Sequence, residues 1–128
     1  MLYCITGANG FIACSLIKHL VSLGHTVRGT VRDAAKDGAH LEALGAKVIE
    51  VKDLTDADAV AKAFEGVDGV FHMAAVHPEY GFADTPEGRE GILKTAVAGT
   101  TAVLAAVRRR TIEPPTLTRR PRDRQTRL

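Results

Sequence analysis

The sequence has no tryptophan, two cysteines, four phenylalanines and two tyrosines among 128 residues. So few large side chains can fill one small hydrophobic core, and we expect a single domain at most. Cys4 and Cys14 lack the close spacing of a zinc or redox motif and are expected to be core thiols.

Long apolar runs are also missing, and no stretch approaches the length of a membrane span. An apparent strand begins at residue 2, which leaves no room for a signal or transit peptide. These features predict a cytoplasmic protein that makes no membrane contact.

Charge is unevenly distributed along the chain. Residues 1–107 hold nine basic against thirteen acidic residues, a net −4, whereas residues 108–128 hold eight arginines against two acidic residues, a net +6. The second segment has few apolar residues and no periodicity, so we expect an Arg/Pro-rich tail that is disordered or out of frame. A basic arm that binds nucleic acid is the less favoured interpretation, because no aromatic residue lies between these arginines to stack on bases.

Residues 2–13 read LYCITGANGFIA, an apolar run that breaks into two glycines and continues as a helical apolar pattern. Gly7 permits a tight turn, Gly10 lets the backbone approach a pyrophosphate, and Ala13 is small enough for the helix to pack on the strand. Free N–H groups and the helix dipole would attract the anion. The order of strand, glycine turn and helix therefore predicts a dinucleotide phosphate site. The alternative is a glycine-rich turn without a ligand.

Strand and helix patterns alternate after this turn. Strands are predicted at 26–31, 47–51 and 67–75, and a long alanine-rich helix is predicted at 87–109. Right-handed crossovers between parallel strands give an α/β partial Rossmann fold of about four strands in the order 3-2-1-4. The prediction is one dinucleotide-binding domain at 1–107, followed by the tail at 108–128.

Four segments together resemble the extended short-chain dehydrogenase/reductase family, which includes NAD-dependent epimerases and dehydratases. They are the TGxxGxxA turn at 6–13, VRGTVRD at 27–33, VFHMAA at 70–75 and VAGTTAVL at 97–104. The second segment is most similar to dihydroflavonol-reductase-like and cinnamoyl-CoA-reductase-like members. The resemblance covers about residues 1–107, which correspond to the N-terminal portion of a family member.

The resemblance implies a set of cofactor-binding residues. The glycine turn would hold the phosphates, and the residue after the second strand would contact the 2′-phosphate. The residues after the third strand would contact the adenine, and small residues after the fourth strand would lie at the ribose side. By position in this sequence, these residues are Gly7, Ala8, Asn9, Gly10, Phe11, Ile12, Arg32, Asp53, Leu54, Ala74 and Ala75.

The end of the second strand carries the signal for cofactor choice. A basic residue there meets the 2′-phosphate of NADP, whereas an acidic residue accepts from the ribose 2′-hydroxyl of NAD. Arg32 favours NADP over NAD because a guanidinium binds phosphate through two hydrogen bonds. Asp33 keeps NAD open as the second choice, and Arg28 is expected to point to the opposite side.

Two histidines near the fourth strand do not suggest a metal site. His72 and His77 lack the spacing of a helical zinc pair, and no third ligand is evident, so His72 is expected to be hydrogen-bonded locally.

The family's catalytic Tyr-x-x-x-Lys pair is missing from the sequence. Tyr3 is followed at that spacing by Gly7, and Tyr80 by Asp84. The resemblance implies hydride transfer on a carbonyl or sugar-type substrate. Because the catalytic pair is missing, we expect a truncated cofactor-binding portion that is inactive alone, with a small-molecule substrate only in a full-length form. The alternative is a non-catalytic module that senses NADP(H), possibly dimeric through the open edge of the fourth strand.

Overall fold

A computed structural model describes residues 1–76 and 85–109, which build a parallel sheet with its helices. In chain order, the elements are β1 (Leu2–Thr6), α1 (Phe11–Ser22), β2 (Thr26–Val31), α2 (Ala34–Ala43), β3 (Ala46–Glu50), α3 (Ala57–Ala63), β4 (Gly69–His72), α4 (Pro86–Lys94), a π-helical segment (Thr95–Gly99) and α5 (Thr100–Arg109). The sheet order is β3-β2-β1-β4 and every pairing is parallel, which confirms the predicted 3-2-1-4 Rossmann arrangement.

The core lies on both faces of the sheet, because neighbouring strand residues point to opposite sides. Ile5 faces α1 and α2 and packs in a cluster with Ile17 and Leu41. Cys4 faces α3 and α5 and packs in a second cluster with Phe64. Helices therefore cover the sheet on both sides and leave its strand ends open for a ligand.

The two cysteines lie on opposite sides of the sheet. Cys4 is fully buried, and burial raises the pKa of its thiol to about 12. Cys14 is half-buried in α1, and its Sγ donates to the carbonyl of Ala8 at 3.5 Å. Both thiols are free.

β4 is shorter than the predicted strand at 67–75. The backbone N–H groups of Met73 and Ala74 donate to Oγ1 of Thr6, at 3.1 and 3.2 Å, instead of to a neighbouring strand. The ladder therefore ends at His72, and the chain after it lies across the end of β1.

The helix predicted at 87–109 runs without a break from Pro86 to Arg109. The π-helical segment within it shifts the register of the helical hydrogen bonds. By length and hydropathy the helix as a whole meets the criterion for a membrane span, in contrast to the sequence expectation. A single such helix is weak evidence for a membrane span; 22% of its most apolar stretch is buried, and α5 buries Ala102, Val103 and Ala106. Arg108 and Arg109 end this helix, and the rest of the predicted tail lies outside the described residues.

Candidate functional site

A cleft of about 390 Å³ lies where the four parallel strands end. It is lined by the glycine turn after β1, the end of β2, residues after β3 and β4, and the start of the π-helical segment. The lining residues are Gly7, Asn9, Gly10, Thr30, Val31, Arg32, Val51, Leu54, Met73, Ala74, Ala75, Val76 and Thr95. The carboxyl ends of the strands are where ligands bind in open α/β sheets.

The first glycine of the turn allows two chain segments to touch. Gly7 has φ of +64°, and a Cβ added to it would lie 2.7 Å from Cα of Ala74. Both conditions require glycine. The turn after β1 and the segment after β4 therefore meet at the floor of the cleft.

The second glycine begins α1 without a side-chain cap. Gly10 is the N-cap residue, and the first helical hydrogen bond runs from Cys14 N to Gly10 O at 2.9 Å. Among the described residues, the backbone N–H groups of Phe11 and Ile12 find no acceptor. Phe11 and Ile12 are 89% and 69% exposed and do not line the cleft, and their unpaired N–H groups lie at the N-terminus of α1.

Ala8 is buried beneath the turn, away from the cleft. Its N–H donates to the carbonyl of Thr30 at 3.0 Å, and its methyl group occupies the space that Gly29 leaves open. A Cβ on Gly29 would lie 2.6 Å from Cβ of Ala8. Ala8 therefore packs against β2, and its N–H forms a hydrogen bond with that strand.

Asn9 lies at the cleft and connects the turn to α2. Its Nδ2 donates to Oδ2 of Asp37 at 2.9 Å. This bond joins the glycine turn to α2, the helix that follows Arg32.

The two charged residues after β2 have different surroundings. Arg32 lines the cleft, and no hydrogen bond or ion pair involves its guanidinium in the described part of the chain. Asp33 is the N-cap of α2, and its Oδ1 accepts from the N–H of Lys36 at 3.0 Å. Arg28 is turned away, because its Nη1 donates to the carbonyls of Ala63 and Glu65 at 2.6 and 2.7 Å.

The predicted adenine pair is split by the structure. Leu54 lines the cleft, whereas Asp53 is exposed and does not line it. Oδ1 of Asp53 accepts from both the N–H and the hydroxyl of Thr55 at 2.8 Å, and these bonds hold the pKa of the carboxyl below its usual value.

Ala74 and Ala75 both line the cleft, and a hydrogen-bond network fixes the segment that carries them. Thr6 is fully buried, and its hydroxyl accepts from two N–H groups after β4, so its own proton points to Nδ1 of His72 at 2.7 Å. Nε2 of His72 then carries the ring proton and donates to Oγ1 of Thr100 at 3.3 Å. His72 is bonded locally, as predicted, and burial lowers its pKa.

Sequence reasoning missed several lining residues. Thr30, Val31 and Val51 stand at strand ends, and Met73 and Val76 flank the predicted alanines, so strand register alone could have found them. Thr95 gave no signal, because a π-helical turn changes which helix residues face the cleft. Residues 1–76 and 85–109 contain no group of three potential metal ligands. His77 and Tyr80 lie outside the described residues.

The chain is 43% identical over 108 residues to cinnamoyl-CoA reductase 1 of Petunia hybrida, and the match covers 80% of this chain and 30% of that protein. It superposes on yeast methylglyoxal/isovaleraldehyde reductase in complex with NADPH with a TM-score of 0.73 and 26% identity, covering 85% of this chain and 33% of that one.

It also superposes on UDP-glucose 4-epimerase from Bifidobacterium longum in complex with NAD+ and UDP, with a TM-score of 0.71 and 17% identity, which shows the shared fold. That match covers 85% of this chain and 34% of the epimerase chain. The chain thus spans about a third of the length of the proteins it matches.

The family model for NAD dependent epimerases and dehydratases matches residues 3–118, which extends past residue 107 into the arginine-rich segment. With the parallel sheet, the glycine turn and the cleft at the strand ends, this match establishes that the chain belongs to the NAD dependent epimerase/dehydratase family.

Proposed function

We propose that the cleft binds NADP in preference to NAD, as the cofactor-binding portion of a reductase that transfers hydride to a carbonyl or sugar-type substrate. The observation that carries this proposal is the difference in hydrogen bonding between the side chains of Arg32 and Asp33. The Arg32 guanidinium lies at the cleft without a partner among the described residues, whereas Oδ1 of Asp33 is occupied by the N–H of Lys36. An unpaired guanidinium at this position favours binding of a 2′-phosphate. A carboxylate that already accepts a backbone hydrogen bond is a poorer acceptor for a ribose hydroxyl.

The residues present fit a dinucleotide in three further respects. Gly7 and Gly10 lack the Cβ atoms that would narrow the cradle, and a Cβ on Gly10 would meet the Gly7 carbonyl at 3.2 Å. The N–H groups of Phe11 and Ile12 are available to phosphate oxygens. Val31, Val51 and Leu54 give the cleft an apolar wall for a base.

The chemistry that NADPH supplies when bound is a hydride. In this proposal the chain's own residues bind and orient the dinucleotide: Arg32 neutralises the 2′-phosphate, and Ala74 and Ala75 leave room beside the segment after β4. The Tyr-x-x-x-Lys pair that transfers the proton in the family this chain resembles is absent from the sequence, since neither tyrosine is followed by lysine at the fourth position. The purified chain should therefore bind NADPH without oxidising it when carbonyl substrates are added.

Calorimetric titration with NADP, NAD and 2′,5′-ADP tests the cofactor preference. We expect tighter binding of NADP than of NAD, and Arg32→Gln should weaken NADP binding by about ten- to a hundredfold, the contribution of hydrogen bonds to a charged group. NAD affinity should hardly change.

Arg109→Gln is the matched control, because it removes the same charge from a residue that contacts Asp58 on α3. If NAD binds more tightly than NADP, Arg32 loses this role and Asp33 becomes the ribose contact.

The second candidate function is a non-catalytic NADP(H)-sensing module that dimerises through β4. Within the described residues, β4 pairs with β1 alone, and Phe71 on this strand is 37% exposed. An open strand edge can pair with another chain. Size-exclusion chromatography with and without NADPH should then show a cofactor-dependent dimer that Phe71→Glu abolishes. A monomer under both conditions would rule out the sensing dimer.

We also propose a cytoplasmic location, in keeping with a cofactor site for NADP. Fractionation of cells that express the chain tests it, and recovery with the membrane fraction would contradict it.

A further inference from the structure

We propose that protonation of His72 releases the segment after β4 from β1 and weakens dinucleotide binding, which makes this junction a pH-sensitive switch. The inference rests on the function proposed above, which supplies the ligand. His72 does not line the cleft, whereas the four residues that follow it, 73–76, all do. His72 is therefore a positioning residue, which acts on the cleft through the chain after it.

The hydroxyl of Thr6 holds this segment and uses its full hydrogen-bonding capacity. A hydroxyl oxygen accepts two hydrogen bonds and donates one. The N–H groups of Met73 and Ala74 take both acceptor positions of Thr6, at 3.1 and 3.2 Å. The remaining proton of Thr6 is donated to Nδ1 of His72 at 2.7 Å, and Thr6 is fully buried. This arrangement requires Nδ1 of His72 to be unprotonated.

Protonation turns Nδ1 of His72 from an acceptor into a donor. Two donors then face each other across 2.7 Å, and the Thr6 oxygen has no lone pair left for the new N–H. Either the Thr6 hydroxyl turns and gives up the N–H of Met73 or Ala74, or the imidazolium turns to solvent and leaves a buried hydroxyl proton without an acceptor. Each response loses one hydrogen bond between β1 and residues 72–74.

These hydrogen bonds fix the floor of the cleft. The β4 ladder ends at His72, so Met73 and Ala74 donate to a side chain where strand residues would donate to a neighbouring strand. Ala74 lies against the glycine turn, because its Cα is 2.7 Å from the position that a Cβ on Gly7 would take. A shift of this segment therefore changes the space beside the turn that would hold the phosphates.

The surroundings of His72 allow its charge to change. The residue is exposed, so its ring can exchange protons with solvent. Its hydrogen-bond partners in the described chain are the uncharged hydroxyls of Thr6 and Thr100, and Cys4 on the same side of β1 is a neutral thiol. The charged residues of the neighbouring elements form no hydrogen bond or ion pair with the ring. They are Asp58, Lys62, Asp68, Lys94, Arg108 and Arg109.

Linkage gives the direction of the effect. Burial lowers the pKa of His72, so the folded chain favours the neutral ring over the charged ring. Because the dinucleotide binds the chain with a neutral ring more tightly, bound dinucleotide must lower this pKa further, by the factor by which protonation weakens binding. Affinity is therefore full above the pKa of His72 and falls as the pH passes below it.

Amide hydrogen exchange of the unliganded wild-type chain tests the release of the segment. Between about pH 7.5 and about pH 5, protection at Met73 and Ala74, corrected for intrinsic exchange, should fall by about three- to tenfold, as for one lost hydrogen bond. The fall should follow the ring titration of His72. The N–H of Ala8 is the control, because it donates to the carbonyl of Thr30. Protection that does not follow the ring titration overturns the inference.

Calorimetry with NADP at the same pH values tests the coupling to the cleft. His72→Asn keeps an acceptor for the Thr6 hydroxyl and cannot titrate, whereas His19→Asn removes an exposed imidazole of α1 as the matched control. On acidification, the wild type and His19→Asn should lose about three- to tenfold more affinity than His72→Asn. The 2′-phosphate of NADP titrates near about pH 6 in every measurement and cancels in this comparison. Circular dichroism at each pH confirms that the variants are folded.

The outcomes separate the switch from the proposed function. Equal pH dependence in His72→Asn and the wild type overturns the coupling of His72 to the cleft, while the chain still binds NADP. If the wild-type chain binds no NADP at either pH, the proposed function fails. The exchange experiment, which needs neither a variant nor a ligand, then supports or overturns the release of residues 73–76 by itself.

Discussion

Replacing Gly7 by alanine should destabilise the protein for two reasons that can be measured separately. The residue has φ of +64°, and the new Cβ would lie 2.7 Å from Cα and 3.0 Å from Cβ of Ala74. A left-handed conformation costs a non-glycine residue about 1–2 kcal/mol. Forcing atoms into a filled space costs about 1–3 kcal/mol more. We therefore expect Gly7→Ala to lower the free energy of unfolding by about 2–5 kcal/mol.

The chain offers a matched control for the first of these terms. Gly24 and Gly66 have φ of +79° and +74°, and an added Cβ at either position meets no atom within 4 Å. Gly24→Ala and Gly66→Ala should therefore lose only the backbone term, about 1–2 kcal/mol each. The change in unfolded-chain entropy is the same in all three variants, so it cancels in the comparison.

Urea denaturation followed by far-ultraviolet circular dichroism measures the three free energies, and calorimetry with NADP measures the effect on the cleft. We expect Gly7→Ala to be the least stable variant and the only one that weakens NADP binding, since Ala74 lines the cleft and must move. Equal destabilisation of all three variants, within about 0.5 kcal/mol, would refute the argument that contact with Ala74 is what requires glycine at position 7.

Three further changes test other parts of the site. Gly29→Ala should destabilise by about 1–3 kcal/mol, because its Cβ would lie 2.6 Å from that of Ala8, and adding Ala8→Gly should recover part of the loss in a double-mutant cycle; additive effects would show that the two positions do not touch. The pKa of His72 is lowered by burial, so the unfolded chain binds more protons, and stability should fall as pH drops below about 6.5 and level off beneath the folded-state pKa. His72→Gln should flatten this part of the urea-denaturation profile, and an unchanged profile would assign the effect to other groups. Asp33→Ala should lose the cap bond to Lys36 and cost about 1 kcal/mol in urea denaturation, and a variant as stable as wild type would contradict the capping role.

Much of the fold could be predicted because its signals are local. The glycine turn, the β2 residues that precede Arg32 and the apolar fourth strand each follow a periodic pattern, and parallel crossovers restrict the order in which strands can lie. The end of β4 could not be predicted in this way. The chain leaves the ladder after His72 because the Thr6 hydroxyl, distant in sequence, accepts the next two N–H groups.

The sequence predicted the parts of the candidate site that are formed by the main chain better than the hydrogen-bond partners of individual residues. Gly7 has its place because its φ is positive and a Cβ there would lie 2.7 Å from Cα of Ala74, and a Cβ on Gly10 would lie 3.2 Å from the Gly7 carbonyl. Sequence position could not show that the N–H of Ala8 donates to the carbonyl of Thr30. Nor could it show that the carboxylate of Asp53 accepts from Thr55. These partners are decided by three-dimensional packing.

The separate surroundings of Arg32 and Asp33 bear on how cofactor preference can change by mutation. Asp33 caps α2, so its replacement removes a helix-stabilising bond, whereas the Arg32 guanidinium forms no hydrogen bond or ion pair with a described residue. Substitutions at position 32 can therefore accumulate with little loss of stability, and those at position 33 are selected against for folding whatever ligand is bound. The residue that we propose to discriminate between the two cofactors is thus one that design can exchange without a compensating change elsewhere.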